Sequence, residues 1–397
     1  MRISTAMMHN RSVNTLMKRQ ADMAKAQDEV STGLKVQKPS DDPAAAVQIL
    51  QLQQQRAAAE QFGKNINSVK TRLEMSELAM ADAENVIRRV AELGVQANSA
   101  ALDTSDKRAI AVELSSLNQQ LMAVANRKDA NGEFLFSGYA SGIQPFTRPA
   151  SGSVTYAGDQ SSRNVQIGPA QYLADGDSGQ SVFMSVPEGN GTFVLSATSG
   201  NAGTGVIAGA VQNSAAWIPD DYTLSFTTAS TWQVVDGSAN VVASGAYSAG
   251  TAINFNGVSL TVTGTPAAGD GFSIEQSRHE DIFTTIDQLI STLNASTSTQ
   301  SQKALFQNDL GTAMTQLSQA ETHVLNVRAG IGARVSILES VDNTREDEIS
   351  QYTSAISALR DADATESISR FSQQYTALQA AQQAYARIAQ LSLFNYL

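Results

Sequence analysis

Four groupings in this chain have residue types that could do chemistry. His279-Glu280 begins an H-E-x-x-H spacing, in which two histidines one helical turn apart bind zinc and the glutamate serves as base. The second histidine belongs at position 283, where the chain has Phe283, so no zinc site can be built from this motif. Gly203-Thr204-Gly205 with Gly209 approaches the glycine spacing of a pyrophosphate-cradling loop. The last gap is one residue too long and no helical pattern follows, so a glycine-rich connection is expected there. Asp41-Asp42 and Asp220-Asp221 could serve as acid–base pairs, but both stand at element boundaries, where capping and turn formation use such residues. No G-x-S-x-G turn presents a serine, and a chain with no cysteine has neither a thiolate nucleophile nor a disulfide. His9 and His323 fall on helical patterns far apart in sequence and read as solvated or packed side chains. The expectation is a protein that is not an enzyme, with no catalytic residue, no metal ligand and no cofactor.

The elements that would have to position such residues are long helices. Ile3, Met7, Asn10, Asn14, Met17, Ala21 and Ala24 step alternately by four and three, the alternation of a coiled-coil seam. Gly33 fits a C-terminal stop. Ser40-Asp41-Asp42-Pro43 restarts a helix with a cap followed by proline at the first helical position. Ile66, Val69, Leu73, Ser76, Met80, Ala83, Ile87, Val90, Gly94 and Ala97 keep the same spacing. One helix running to about Ser99 would be about 85 Å long at 1.5 Å per residue. Asp103-Thr104-Ser105-Asp106 caps a third helix, with Ile110, Leu114, Leu117, Leu121 and Val124 inward and an end near Asn131-Gly132.

The C-terminal flank repeats the pattern. Ile282, Ile286, Leu289 and Leu293 form a short stripe; Leu310, Ala313, Leu317, Ala320, Val324, Val327 and Ile331 form a longer one. Gly330 and Gly332 are expected to loosen or end that helix before the pattern resumes through Leu338, Val341, Tyr352, Ala355 and Leu359. Asp363-Ala364-Thr365 caps a last helix carrying Ile368, Phe371, Tyr375, Leu378, Tyr385 and Ile388. The two outermost helices, 1–33 and 365–397, have only moderate apolar stripes. Isolated helices of that quality are marginal in water and order fully on finding partners, which points to assembly.

Residues 133–276 read as strand and turn. They hold no lysine and only Arg148 and Arg163 against ten acids, so they carry −8 of the total charge of −11. Alternating segments at 154–156, 165–167, 192–195, 222–226, 233–235, 241–243, 253–255, 259–262 and 272–274 are the expected strands. Asp236-Gly237 and Asn256-Gly257 serve as hairpin turns. Residues 220–276 look like a self-contained β unit. The acidic balance argues against a nucleic-acid surface and against docking on anionic lipid. No apolar run reaches the 18 or so residues of a membrane span, and the first residues show no secretory signal.

Two segments carry a resemblance. Val30-Ser31-Thr32-Gly33-Leu34-Lys35-Val36 followed by Ser40-Asp41-Asp42-Pro43-Ala44-Ala45, and Arg89-Val90-Ala91-Glu92-Leu93-Gly94-Val95-Gln96-Ala97, are similar to signatures of the bacterial flagellin superfamily. The likeness covers both helical flanks. Three further segments resemble its hook–filament junction branch more than flagellins, which more often end in a Leu-Leu-Arg-like tail. They are Met1-Arg2-Ile3-Ser4-Thr5, Glu133-Phe134-Leu135-Phe136-Ser137-Gly138-Tyr139 and Leu391-Ser392-Leu393-Phe394-Asn395-Tyr396-Leu397. Residues 222–274 resemble a β module inserted in flagellins and hook-associated proteins alike.

The resemblance implies an α+β structural subunit of the bacterial flagellum, a long antiparallel coiled-coil or bundle rod built from both chain ends with an inserted mainly-β domain. Residues 1–42 and 363–397 would be the terminal coiled-coil helices, 43–132 with 277–362 the helical shaft, and 133–276 the inserted β domain. Secretion through the flagellar type III apparatus on an uncleaved signal is implied, with an export chaperone on the C-terminal region. The implied partners are copies of itself in a ring or helical turn, another hook-associated protein below and flagellin above. Flagellin itself, a bulk filament subunit, is the alternative. The expected assembly interface is Ile3, Met7, Met17, Ile368, Phe371, Tyr375, Leu378, Tyr385 and Ile388.

Overall fold

The computed structural model describes residues 5–99, 101–149 and 152–394, and the side chains of 7–387 among them. Among the described residues, six helices carry the flanks: α1 (Thr5–Thr32), α2 (Pro43–Ala97), α3 (Thr104–Ala125), α4 (Ile282–Asn294), α5 (Gln300–Arg360) and α6 (Ala364–Phe394). Local chemistry fixes their ends. Gly33 takes φ +67° after α1 and donates its N–H to the Glu29 carbonyl at 3.0 Å, a left-handed cap that glycine adopts without steric penalty. The Asp42 carboxylate accepts from the N–H groups of Ala44 and Ala45, both at 3.0 Å, so α2 starts at Pro43. Asp103 and Asp106 form a reciprocal capping box on α3, and Asp363 accepts from Thr365 and Glu366 at the start of α6.

Two helical expectations are corrected. α3 ends at Ala125 rather than near Asn131-Gly132. The Asn126 side chain pairs with the Phe146 backbone in both directions, each at 2.9 Å, and the chain leaves the helix. α5 runs through Gly330 and Gly332 without a break. A glycine in a helix interior costs about 1 kcal/mol relative to alanine. Ile331 between them and Leu338 two turns on, 1% and 0% exposed, bury enough apolar surface to offset it.

The chain divides into two compact units, Met1–Lys64 with Ser340–Leu397 and Asn65–Glu339. In the first, α1 packs antiparallel on α6. The peptides that lead out of this pair are strapped together: Lys35 and Val36 donate to the Arg360 carbonyl at 2.7 and 3.2 Å, and Ala362 donates to that of Gly33 at 2.8 Å. Beside the strap, Val36, Ala45, Ile49 and Ile356 close a small apolar core with Leu52 and Leu359.

In the second unit the α2 stripe is the core as its spacing predicts. Ile66, Val69, Leu73, Met80, Ala83, Ile87, Val90 and Ala97 are at most 1% exposed. Gly94 lets the Met314 side chain of α5 lie close against that stripe, since a Cβ there would meet the Met314 sulfur and make it shift. α4 buries Ile282, Ile286, Leu289 and Leu293 completely and packs on α3.

Among the described residues, fourteen strands occupy the middle of the second unit. They are β1 (Phe146–Thr147), β2 (Thr155–Tyr156), β3 (Asn164–Gly168), β4 (Gln171–Ala174), β5 (Val186–Pro187), β6 (Phe193–Ala197) and β7 (Val206–Val211), then β8 (Tyr222–Thr228), β9 (Thr231–Val235), β10 (Val241–Ala246), β11 (Ala252–Phe255), β12 (Val258–Thr263), β13 (Gly271–Gln276) and β14 (His279–Glu280). A five-stranded sheet in the order β10-β9-β8-β13-β6 and a three-stranded sheet in the order β11-β12-β7 share a core of Phe193, Tyr222, Leu224, Phe226, Leu260 and Phe272. Asn256 and Gly257, at φ +42° and +77°, make the tight β11–β12 turn.

The β unit therefore begins well before residue 220, with β6 and β7 as sheet edges. The expected glycine-rich connection is a strand from Val206 onward. Gly209 lies against Leu260, where a Cβ would come within 2.6 Å of Cδ2.

Those two edges are covered by side chains of α5. Asn308 donates to the Gly205 carbonyl (3.0 Å) and accepts from the Ile207 N–H (2.8 Å); Thr312 donates to the Leu195 carbonyl at 2.7 Å. Gln316 accepts from the Gly189 N–H one turn further on, and His323 bonds the Ser181 carbonyl at 2.8 Å. The four side chains lie on one side of the helix; Asn308 and Thr312 satisfy backbone groups that an exposed edge would offer to other chains, and Gln316 and His323 continue the row onto the segment before β6.

Candidate assembly interface

The residues with reactive chemistry are each absorbed locally. His279 and Glu280 form β14 and pair with Pro187 and Val186, while Phe283 is fully buried. Burial, helped by the charges of Glu188 and Asp281, pushes the Glu280 carboxyl up to about 7; it accepts from Gln288 Nε2 at 2.7 Å and Thr285 Oγ1 at 3.3 Å. Asp41 accepts from the N–H groups of Lys38 and Gln37, and these two bonds hold its carboxyl below the usual range. Asp220 accepts from the N–H of Asp221, and Asp221 from that of Gln276. Among the described residues no group of three His, Cys, Asp or Glu is placed to hold a metal ion.

One dense charge cluster has no local sequence signature. Arg72 of α2, 8% exposed, bonds Asp129 at 2.7 Å and the Phe134 carbonyl at 2.9 Å, with Asp175 at 3.8 Å and Glu133 at 3.6 Å. Arg163 pairs with Asp175 at 2.6 Å. The cluster joins α2, the segment after α3 and the β3–β4 hairpin. Its charges are paired with one another, so it works as a structural clasp.

What remains open is the α1–α6 pair. The inward side of α1 carries Ser12, Val13, Leu16 and Met23, half-buried, with Ala26 and Glu29 buried. The predicted seam is on nearly the opposite side, about 150° around at 3.6 residues per turn. Met7 and Met17 are 65% and 61% exposed, and Asn10, Asn14, Ala21 and Ala24 are exposed with them. On α6, Leu378 is buried and Phe371 and Tyr385 are half-buried on the α1 side, whereas Ile368 and Tyr375 are exposed.

The pair is tied at both ends of its length: His9 lies against Tyr385 with ring centroids 5.5 Å apart, and Arg370 bonds the buried Glu29 at 3.0 Å. Of the nine expected interface residues, Met7, Met17, Ile368 and Tyr375 thus face outward. Phe371, Leu378 and Tyr385 serve the pair itself. Ile3 and the side chain of Ile388 lie outside the described residues.

Paired terminal helices with an outward apolar face and an inserted β region define a structural subunit built to assemble. Residues 3–141 match the bacterial flagellin N-terminal helical region, residues 314–397 match the corresponding C-terminal helical region, and residues 195–276 match the D2-like domain of flagellar hook-associated protein 1. Flagellar hook-associated protein 3 of Escherichia coli is 24% identical over 396 residues, covering 100% of this chain and 99% of its own. That of Salmonella typhimurium is 32% identical over 197 residues, 48% of this chain and 61% of its own length. The crystal structure of the flagellar junction protein FlgL from Legionella pneumophila, 32% identical, superimposes with a TM-score of 0.73 over 79% of this chain and 100% of that one. The chain belongs to the bacterial flagellin superfamily and, within it, to the hook-associated protein 3 family. It is a structural component of the bacterial flagellum.

Proposed function

We propose that this protein is the adaptor between a hook-associated protein and the flagellin filament, and that it is not an enzyme. The observation that carries the assembly mode is the division of faces on α1 and α6. One side of each helix is used within the subunit, and Met7, Met17, Ile368 and Tyr375 are left for neighbouring copies. Ile3 and Ile388, outside the described side chains, are kept as interface residues on the sequence pattern alone, while Phe371, Leu378 and Tyr385 hold the pair. Residues 1–42 and 363–397 act as the assembling ends, 43–132 with 277–362 as the shaft, and 133–276 as the inserted β domain. Export by the flagellar type III route, with a chaperone on the C-terminal region, belongs to the same reading.

Deleting the gene and imaging the cells tests the role. Hooks without filaments, with flagellin released into the medium, are expected; filaments that stay attached would overturn it. The flagellin alternative predicts that the purified chain grows long filaments alone, whereas an adaptor does not.

A further inference from the structure

Charge is distributed unevenly along the first compact unit. The free end of the helix pair, residues 5–21 of α1 and 371–394 of α6, carries Arg11, Lys18, Arg19 and Arg387 and no acid. The rest of the described unit, on the strap side, holds thirteen acids against eight bases, a balance of −5. Among the described residues none of the four free-end cations forms an ion pair, while Asp28, Asp347 and Glu348 on the strap side are exposed and form none either.

The free end also has an apolar seat. Met7, Met8, Arg11, Ser12, Ala384 and Tyr385 line a groove between α1 and α6. On the strap side Ile368 stands 56% exposed near the start of α6 and offers an apolar side chain to such a seat.

We infer that the free end of one copy docks on the strap side of the next copy. This rests on the reading of α1 and α6 as the assembling ends and adds the geometry of the contact. Copies set side by side at one level would bring four unpaired cations against four. An axial offset of about 14–26 Å, the length of the nine to seventeen residues from Arg19 or Arg11 to Asp28 at 1.5 Å per helical residue, instead brings the cations of α1 against Asp28, and Asp347 and Glu348 of α5 add to the negative charge of the strap side. Charges on exposed groups are screened within about 8 Å at physiological salt, so the complementarity acts only in direct contact. Such a contact uses two different patches, and therefore generates an open helix or a ring rather than a closed pair.

The test uses full-length variants in a strain lacking the gene. One variant reverses the free end (Arg11→Glu, Lys18→Glu, Arg19→Glu); the other reverses the strap side (Asp28→Lys, Asp347→Lys, Glu348→Lys). Each alone sets like charge against like, and at least tenfold fewer cells with attached filaments are expected. Co-expression restores unlike contacts in both directions, and filaments should return.

The amount of each variant secreted into the medium separates a failure of export from a failure of docking. Should the free-end variant not be exported, the strap-side variant alone decides, since it leaves the first 27 residues unchanged. A secreted strap-side variant that attaches filaments normally, or a secreted pair that fails to rescue, overturns the inference. The adaptor role would survive either result, because it stands on the deletion phenotype.

Discussion

Arg72 and Glu280 show how ionisable residues are used in this protein when no reaction needs them. Arg72 is nine-tenths buried among Asp129, Glu133 and Asp175, and no neighbour in the sequence announces it. Removing one partner of a buried charge cluster typically costs about 3–5 kcal/mol, because the remaining charges stay desolvated. Arg72→Met is therefore expected to lower unfolding free energy by about that amount in urea titrations at constant m-value. Arg163→Ala, in the same cluster but 39% exposed, should cost far less.

Glu280 acts in the opposite sense. Its carboxyl is pushed up to about 7 from 4.5, so the folded state holds the proton more tightly than the unfolded chain. Its contribution is fully present below about pH 4.5 and is lost as pH rises through 7. Glu280→Gln should remove that slope and raise the melting temperature near pH 8. An unchanged pH profile between 5 and 8 would refute the assignment.

At the scale of elements, local chemistry was legible and tertiary use was not. The caps at Asp42, Asp103 and Asp363 and the stop at Gly33 stand where their residue types place them, because each acts on backbone within three or four positions. The α2 stripe was equally legible, being apolar at nearly every inward position. α1 misleads because it carries two overlapping stripes with three-four spacing. Val13, Leu16 and Met23 turn inward with Ala26, while the stripe from Met7 to Ala24 stays outside. Spacing defines both faces, and only the partner helix selects one.

β7 was missed for a related reason: between Ile207 and Val211 the inward position is Gly209, held close to Leu260 and Leu195, and the exposed positions are Ala208 and Ala210, so the apolar–polar alternation is invisible there. Asn308 gives the edge its cover. Replacing it by leucine orphans the Ile207 N–H and the Gly205 carbonyl, at about 1–3 kcal/mol for each buried group. Amide exchange at Ile207 should accelerate accordingly in Asn308→Leu, and unchanged protection would mean that the edge is covered by something else.

For the whole molecule, the distribution of burial separates a part that folds by itself from a part that waits for neighbours. The second compact unit buries the full α2 stripe, α4 and a two-sheet core. In the pair, by contrast, α1 fully buries only Ala26 and Glu29 among its described side chains, and α6 only Ser367 and Leu378. Of these, Ala26, Glu29 and Ser367 lie toward the strap. Helices with so little buried surface open at low free energy, so local unfolding is expected to begin at Thr5 and proceed toward the strap. In dilute solution trypsin should therefore cut first at Arg11, Lys18, Arg19 and Arg387, then stop near residues 40 and 365, leaving Asn65–Glu339 intact. Within attached flagella the same bonds should resist cleavage, because the outward faces of α1 and α6 are then covered. Full protection of both ends in the dilute protein would show that intramolecular pairing alone is sufficient, and ordering would then not be coupled to assembly.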